Sequence, residues 1–226
     1  MHPVHEALTW IHIISGGSML LLGMVLIVLP GKGMLRHKQA GRAFAVSTAL
    51  VVLTALLVIA FFRFSPFLLA IAVLSAYMCF SGYRVFSRKR PGTARTGDWM
   101  GAVMALLSGL ALIGYGCWLL SATVAVVLAI LSLVFGAFLL LLAYRDIRDF
   151  RKAEYSDNMW WWYHHMSSML GAWLAALTAF LVQNGDWLLP NVNLGWILWV
   201  APGVIGGIAI AVWVGKYRKK FQTRRR

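Results

Sequence analysis

Few side chains in this sequence can do chemistry, so each can be weighed. The six histidines are His2, His5, His12, His37, His164 and His165. The seven carboxylates are Glu6, Asp98, Asp146, Asp149, Glu154, Asp157 and Asp186. Imidazole is the commonest ligand for zinc and haem iron, and ionisable groups inside a membrane bundle are functional candidates by default. His165 lies on a stripe with Ser168, Ala172, Ala176 and Ala179. His12 lies on one with Ser15, Gly16, Met19 and Gly23. Small residues at such spacing mark helix faces that meet other helices, so both histidines are expected to point inward.

Topology separates them. His165 falls near one membrane face and His12 near the other, on the order of 20 Å apart at 1.5 Å per residue across a 30 Å core. One metal ion, bonded at about 2 Å to each ligand, cannot hold both. The inner candidate site is therefore His37 with His165 or His164, accompanied by Tyr163, Asp157 or Arg84, with Tyr77 on the same face of the third stretch as Arg84. The outer one is His12 with Asn184, or with His5, Glu6 or Asp186. A haem b or a divalent metal on His37 and His165 is one chemistry open to the inner group. Structural hydrogen bonding or small-ligand binding is another. Two bis-histidine haems would need four inward histidines, and the sequence offers too few. A metal hydrolase would need three ligands, for instance His37, His165 and Asp157, and an open water position. Arg84 can clamp an anion or reach to the interface, and Asn184 can cap the helix that it ends.

The elements that carry these residues are membrane spans. Hydrophobic residues make up 61% and charged residues 12% of 226, too apolar to hide inside one globule. Seven apolar stretches, roughly 5–29, 43–62, 66–86, 99–120, 122–144, 160–183 and 194–214, each reach the length of about 20 residues that crosses a bilayer. Of 21 Lys and Arg, all but Arg63 fall between the first and second, third and fourth, and fifth and sixth stretches, at the end of the third (Arg84), or in the tail 215–226. The positive-inside rule then predicts an all-α, seven-helix integral membrane bundle, a single domain over 1–226, with its N-terminus outside and its C-terminus in the cytoplasm. The expected location is a bacterial inner membrane, with anionic lipid at the basic face. The net charge of +14 lacks the aromatic interleaving of a nucleic-acid binder, and no nucleic-acid partner is expected.

Other local signals agree. Pro66 suits a first helical turn, and Trp160–Tyr163 an interfacial collar. Pro202 predicts a kink. Gly203 and Gly207 form a G-x-x-x-G face that can pack within the bundle or make a homo-oligomer. Cys79 and Cys117 both fall in apolar stretches and read as small hydrophobes. The carboxylates are expected at helix ends or in loops, which speaks against a mid-membrane proton relay. No lysine sits in mid-helix to form a retinal Schiff base, and no P-loop, G-x-S-x-G or H-E-x-x-H motif is present.

HIISGG at 12–17, KG at 32–33, HKQAGRAF at 37–44, FLLAIAVLSAYMCFSGYR at 67–84 and HMSSMLGAWLAALTAFLVQN at 165–184 together resemble a bacterial multi-pass membrane family, domain-of-unknown-function family 2306. The resemblance implies that His12, His37, Arg84, His165 and Asn184 are the positions of interest. It implies no reaction, and whether the protein is an enzyme stays open.

Overall fold

The structure is a computed structural model. It describes residues 3–62, 64–155, 157–188, 190, 195 and 197–223. Those residues form seven helices and no strand. The helices are α1 (Pro3–Val28), α2 (Leu35–Phe61), α3 (Pro66–Arg84), α4 (Thr96–Ser121), α5 (Val126–Phe150), α6 (Trp160–Leu188) and α7 (Ile197–Thr223), and α3 runs on into a 3₁₀ turn, Val85–Arg88. Each is long and apolar enough to cross a membrane. The number of spans agrees with the hydropathy reading; several ends differ. α2 begins at Leu35, so Arg36, His37, Lys38 and Arg42 ride on its first turns rather than in a loop. α5 continues to Phe150 and carries Arg145, Asp146, Arg148 and Asp149. The basic tail continues α7 as far as Thr223. Charges at a membrane face end the apolar run without ending the helix, because the backbone goes on making its own hydrogen bonds.

The outward faces are apolar: Ile13, Ile14, Leu21 and Val28 on α1, and Val204, Ile205 and Ile208 on α7, are all exposed. In water these would aggregate; facing hydrocarbon they are at rest. Three buried threonines within the spans are satisfied by their own helices. Thr48 donates to the Phe44 carbonyl, Thr54 to Leu50 and Thr178 to Leu174, each at 2.7–2.9 Å. A hydroxyl that donates to its own helix in this way needs no acceptor from a solvent that has none.

α3 and α6 form the centre of the bundle. Eleven of the nineteen α3 residues are buried, against none in α7. α1 and α2 pack as one hairpin and α4 and α5 as another, on different sides of the α3–α6 pair, while α7 packs on α6. The α4–α5 seam needs glycine: a Cβ on Gly109 would lie 2.9 Å from the Gly136 carbonyl oxygen, and one on Gly136 2.8 Å from that of Gly109. The α1–α6 contact turns on Trp173, whose indole N–H donates to the Leu20 carbonyl at 2.9 Å across Gly23.

Pro66 opens α3 as expected, with the Ser65 hydroxyl accepting from the Leu68 N–H. Pro202 lies within α7, whose helical assignment runs unbroken through it. The α1–α2 turn uses Gly31 (φ 71°) and Gly33 (φ 87°), where other residues would be strained. Within it, the Lys32 ammonium binds the last carbonyls of α1, Leu26 and Ile27. Gly203 and Gly207 have nothing within 4 Å of where a Cβ would stand, whereas Gly206 abuts Leu174 of α6. The G-x-x-x-G face therefore points away from the bundle.

Candidate functional site

The basic end of the bundle gathers the polar chemistry. α3 presents Tyr77, Ser81, Arg84 and Arg88 at spacings of four, three and four, one helical face carried into the 3₁₀ turn. α4 brings Asp98 in its first turn, α5 brings Asp146 near its last, and α6 brings His164 and His165 near its first.

Asp98 is 1% exposed and binds Arg84 through two parallel bonds, Nε to Oδ1 at 2.9 Å and Nη2 to Oδ2 at 2.8 Å. It also accepts the Arg95 N–H at 2.9 Å, which secures the start of α4 where the helix dipole favours a negative group. Arg88 is 3% exposed and stands between the two acids, with Nε 3.5 Å from Asp98 and Nη1 3.8 Å from Asp146. Its Nη2 donates to the Ser81 carbonyl at 3.0 Å and to the Ser81 hydroxyl at 3.2 Å, and its guanidinium lies 4.7 Å from the Phe150 ring centre.

Asp146 accepts from the Tyr77 hydroxyl at 2.8 Å and from the Ser81 hydroxyl. The Ser81 oxygen also lies 2.8 Å from His164 Nε2. Ser81 has one proton and two lone pairs. Giving the proton to Asp146 leaves the lone pairs to accept from Arg88 and from an Nε2-protonated His164, which satisfies every contact. This is not a catalytic triad, because serine and aspartate meet the same imidazole nitrogen rather than opposite ones. Two arginines face two aspartates, so the network is neutral with His164 uncharged.

His165, the neighbour of His164, points elsewhere. Its Nδ1 donates to the Gly82 carbonyl at 2.9 Å, and its ring packs 4.6 Å from Phe86. The His37 ring lies 6.5 Å away, centre to centre and edge-on. His37 Nδ1 is buried with no hydrogen-bond partner. Lys32 is the charged group felt by His37, and burial holds the Lys32 ammonium below the ordinary lysine pKa.

Of the inner residues chosen from the sequence, His37 and His165 come together; Tyr77, Arg84 and His164 belong to the charge network beside them. Asp157 does not join the histidines. Its carboxylate holds the Met159 N–H at 2.8 Å and the Tyr163 hydroxyl at 3.2 Å, at the start of α6. Among the described residues no three of His, Cys, Asp and Glu are grouped to hold a metal ion. At the far end, His12 Nδ1 meets the Thr54 hydroxyl of α2 at 3.0 Å, while Asn184 binds its own helix at the Phe180 carbonyl. His5 rests 4.7 Å from the Phe62 ring. No hydrogen bond joins His12 to His5, Glu6, Asn184 or Asp186 among the described residues, and His2 lies outside them.

Three corrections follow. Asp98 and Asp146 sit at helix ends as expected, yet inside the bundle. The buried face of α6 runs through Tyr163, His164, Ser168, Gly171, Ala172, Ala175 and Thr178: Ser168 and Ala172 of the stripe drawn through His165 belong to it, but His164, Ala175 and Thr178 stand in place of His165, Ala176 and Ala179. Arg88, read from sequence as a topology charge, is the best-buried arginine of the cluster. No family model, no curated protein and no solved structure matches this chain.

Proposed function

We propose that this multi-pass membrane protein binds a ligand or cofactor at the basic end of its bundle, through His37 and His165, with the Arg–Asp network as the rigid floor of the site. The observation that carries this reading is the imidazole pair. His165 is fixed by its Nδ1 bond to Gly82, which leaves Nε2 uncommitted, and His37 keeps a buried Nδ1 without a partner. A bond of this kind, from one ring nitrogen to a backbone carbonyl, is what orients a ligating histidine.

The spacing favours a metal-centred group among the possible ligands. Two imidazoles bound to one ion at about 2 Å each have ring centres about 6 Å apart, close to the 6.5 Å found here. Zinc sites take three or four protein donors, whereas haem brings four of its own and asks the protein for two. A haem-binding redox protein is thus favoured over a metal-dependent hydrolase. The charge distribution supports placing this end in the cytoplasm of a bacterial inner membrane, where Arg36, Lys38 and the basic end of α7 would meet anionic lipid.

The test is an absorption spectrum of the detergent-purified protein, oxidised and dithionite-reduced, with elemental analysis, repeated on His37→Ala and His165→Ala. A Soret band present in the parent and lost from both variants is the expected result. One metal per chain without a Soret band would turn the reading to the hydrolase. Full cofactor occupancy in both variants would refute the site, and a folded protein without colour or metal would leave the pair to a metal-free ligand.

A further inference from the structure

The end of the bundle opposite the histidines holds a recess of another kind. α5 and α7 do not pack on one another among the described residues, and the first turn of α3 lies between them. Pro66 and Phe67 of α3, Val126, Val127 and Leu131 of α5, and Trp199 of α7 line a groove of about 520 Å³ there, within the range of about 300–1,000 Å³ that holds a small ligand. Phe67 and Leu131 form its buried floor, and the Trp199 ring closes one side, 3.9 Å from that of Phe67. No lining side chain is charged.

Its rim is where two helices begin. No side chain caps α5 at Ala125, and the N–H groups of Val126, Val127 and Leu128 make no hydrogen bond with any described residue. On α3, Pro66 has no N–H to offer, and the Ser65 hydroxyl already accepts from Leu68. Each helix start carries roughly half a positive charge, so two at one rim come to about one. Leu131 stands five residues beyond Val126, about 8 Å deeper at 1.5 Å per residue. The groove is therefore apolar below and electropositive above, over the depth that separates a headgroup from its chains.

We propose that one phospholipid occupies this groove, with an acyl chain along Phe67, Leu131 and Trp199 and its phosphodiester accepting from the N–H groups that open α5. The phosphodiester carries the single negative charge that the rim lacks, and it is the anion that a bilayer itself supplies at that depth. Val126 and Val127, 55% and 54% exposed, leave the groove open sideways to the lipid. The site lies at the far end from the His37–His165 pair and does not depend on it.

The experiment titrates phosphatidylglycerol into delipidated full-length protein in detergent, reads occupancy by native mass spectrometry, and checks folding by gel filtration. Diacylglycerol, which has the tails without the phosphate, runs alongside. Saturable binding of one phosphatidylglycerol per chain is expected, with diacylglycerol at least about tenfold weaker. Val127→Trp, which fills the groove, should abolish that binding. Ile130→Trp, equally exposed on α5 but outside the groove, should keep it. Val126→Pro removes one of the free N–H groups at a position where a helix accepts proline, and should bind about tenfold more weakly. Undiminished binding by Val127→Trp overturns the proposal. So does equal binding of diacylglycerol, or absence of saturable binding by the folded parent. The two tryptophan variants keep the test decisive should Val126→Pro misfold.

Discussion

Replacing Asp98 by asparagine removes one negative charge from a buried cluster of four while keeping the side chain's size. The two arginines it faces respond differently. The Arg84 side chain is 28% exposed and can turn to water or headgroups, whereas that of Arg88, at 4%, has nowhere to go. Removing one partner of a buried ion pair costs about 3–5 kcal/mol. Asp146, 3.8 Å from Arg88, still offsets part of the stranded charge, so the lower end is expected, about 3 kcal/mol. Arg88→Met alone also destabilises, because both acids lose a counter-charge. The double variant retains Arg84 and Asp146, one charge of each sign, and should be destabilised by at least about 1.5 kcal/mol less than the sum of the singles. Unfolding of the four proteins in detergent, followed by circular dichroism, measures the cycle. Additivity within about 0.5 kcal/mol would show that Arg88 and Asp98 do not act as a unit, and the reasoning from burial would fall.

The doubled histidine should divide its roles. His164→Ala is expected to lose about 2 kcal/mol of stability, for a broken buried hydrogen bond and a cavity, and to keep the ligand; His165→Ala should stay within about 1 kcal/mol of the parent and lose it, as thermal unfolding and spectra of the same samples will show. Gly136→Val drives a side chain onto the Gly109 carbonyl and should cost at least about 2 kcal/mol, whereas Gly114→Ala, which meets nothing within 4 Å, should be neutral or stabilising by up to about 1 kcal/mol; equal effects in thermal unfolding would contradict the close seam. Trp173→Phe removes the indole bond to the Leu20 carbonyl and should cost about 1 kcal/mol, with protease sensitivity rising in the α1–α2 hairpin rather than in α4–α5.

The spans were legible because lipid imposes a length and short basic loops punctuate it. The site was legible only in part. His37, Tyr77, Arg84 and the 164–165 pair stood out as polar residues beside apolar runs, and they do meet at one end. Asp98, Asp146 and Arg88 were passed over because charges at the ends of spans ordinarily reach for water. A finer signal was present. Apart from Leu131, the buried residues of α5 are Ala129, Ser132, Gly136, Leu139, Ala143, Asp146 and Phe150, spaced alternately by three and four. Those of α4 begin Asp98, Ala102, Ala105 and Gly109 in the same rhythm, and His164, Ser168, Gly171, Ala175 and Thr178 of α6 keep it, with Tyr163 and Ala172 buried beside them. Each ionisable group continues a seam of small residues, the spacing of a coiled-coil interface. Followed to its end, the seam selects His164 over His165 and places both aspartates inside. What no seam discloses is the partner of each charge, since that depends on which helices pack together.

Adjacent residues on a helix diverge by about 100°, a turn being 3.6 residues, so His164 and His165 cannot serve one site. α3 reads both: the Ser81 hydroxyl meets the first and the Gly82 carbonyl the second, two consecutive positions against two. This register joins the neutral charge network to the imidazole pair through one turn of each central helix. Sliding α6 along α3 by a single residue would break both contacts together, strand Arg88 and Asp146 without Ser81's bridge to His164, and carry His165 away from His37. The network therefore does for the histidine pair what an apolar contact would do poorly. Apolar surfaces tolerate small slips at little cost, while a buried set of charges with one satisfied arrangement does not. A site that needs two rings held near 6.5 Å is best built beside such a lock, and the chain builds it there.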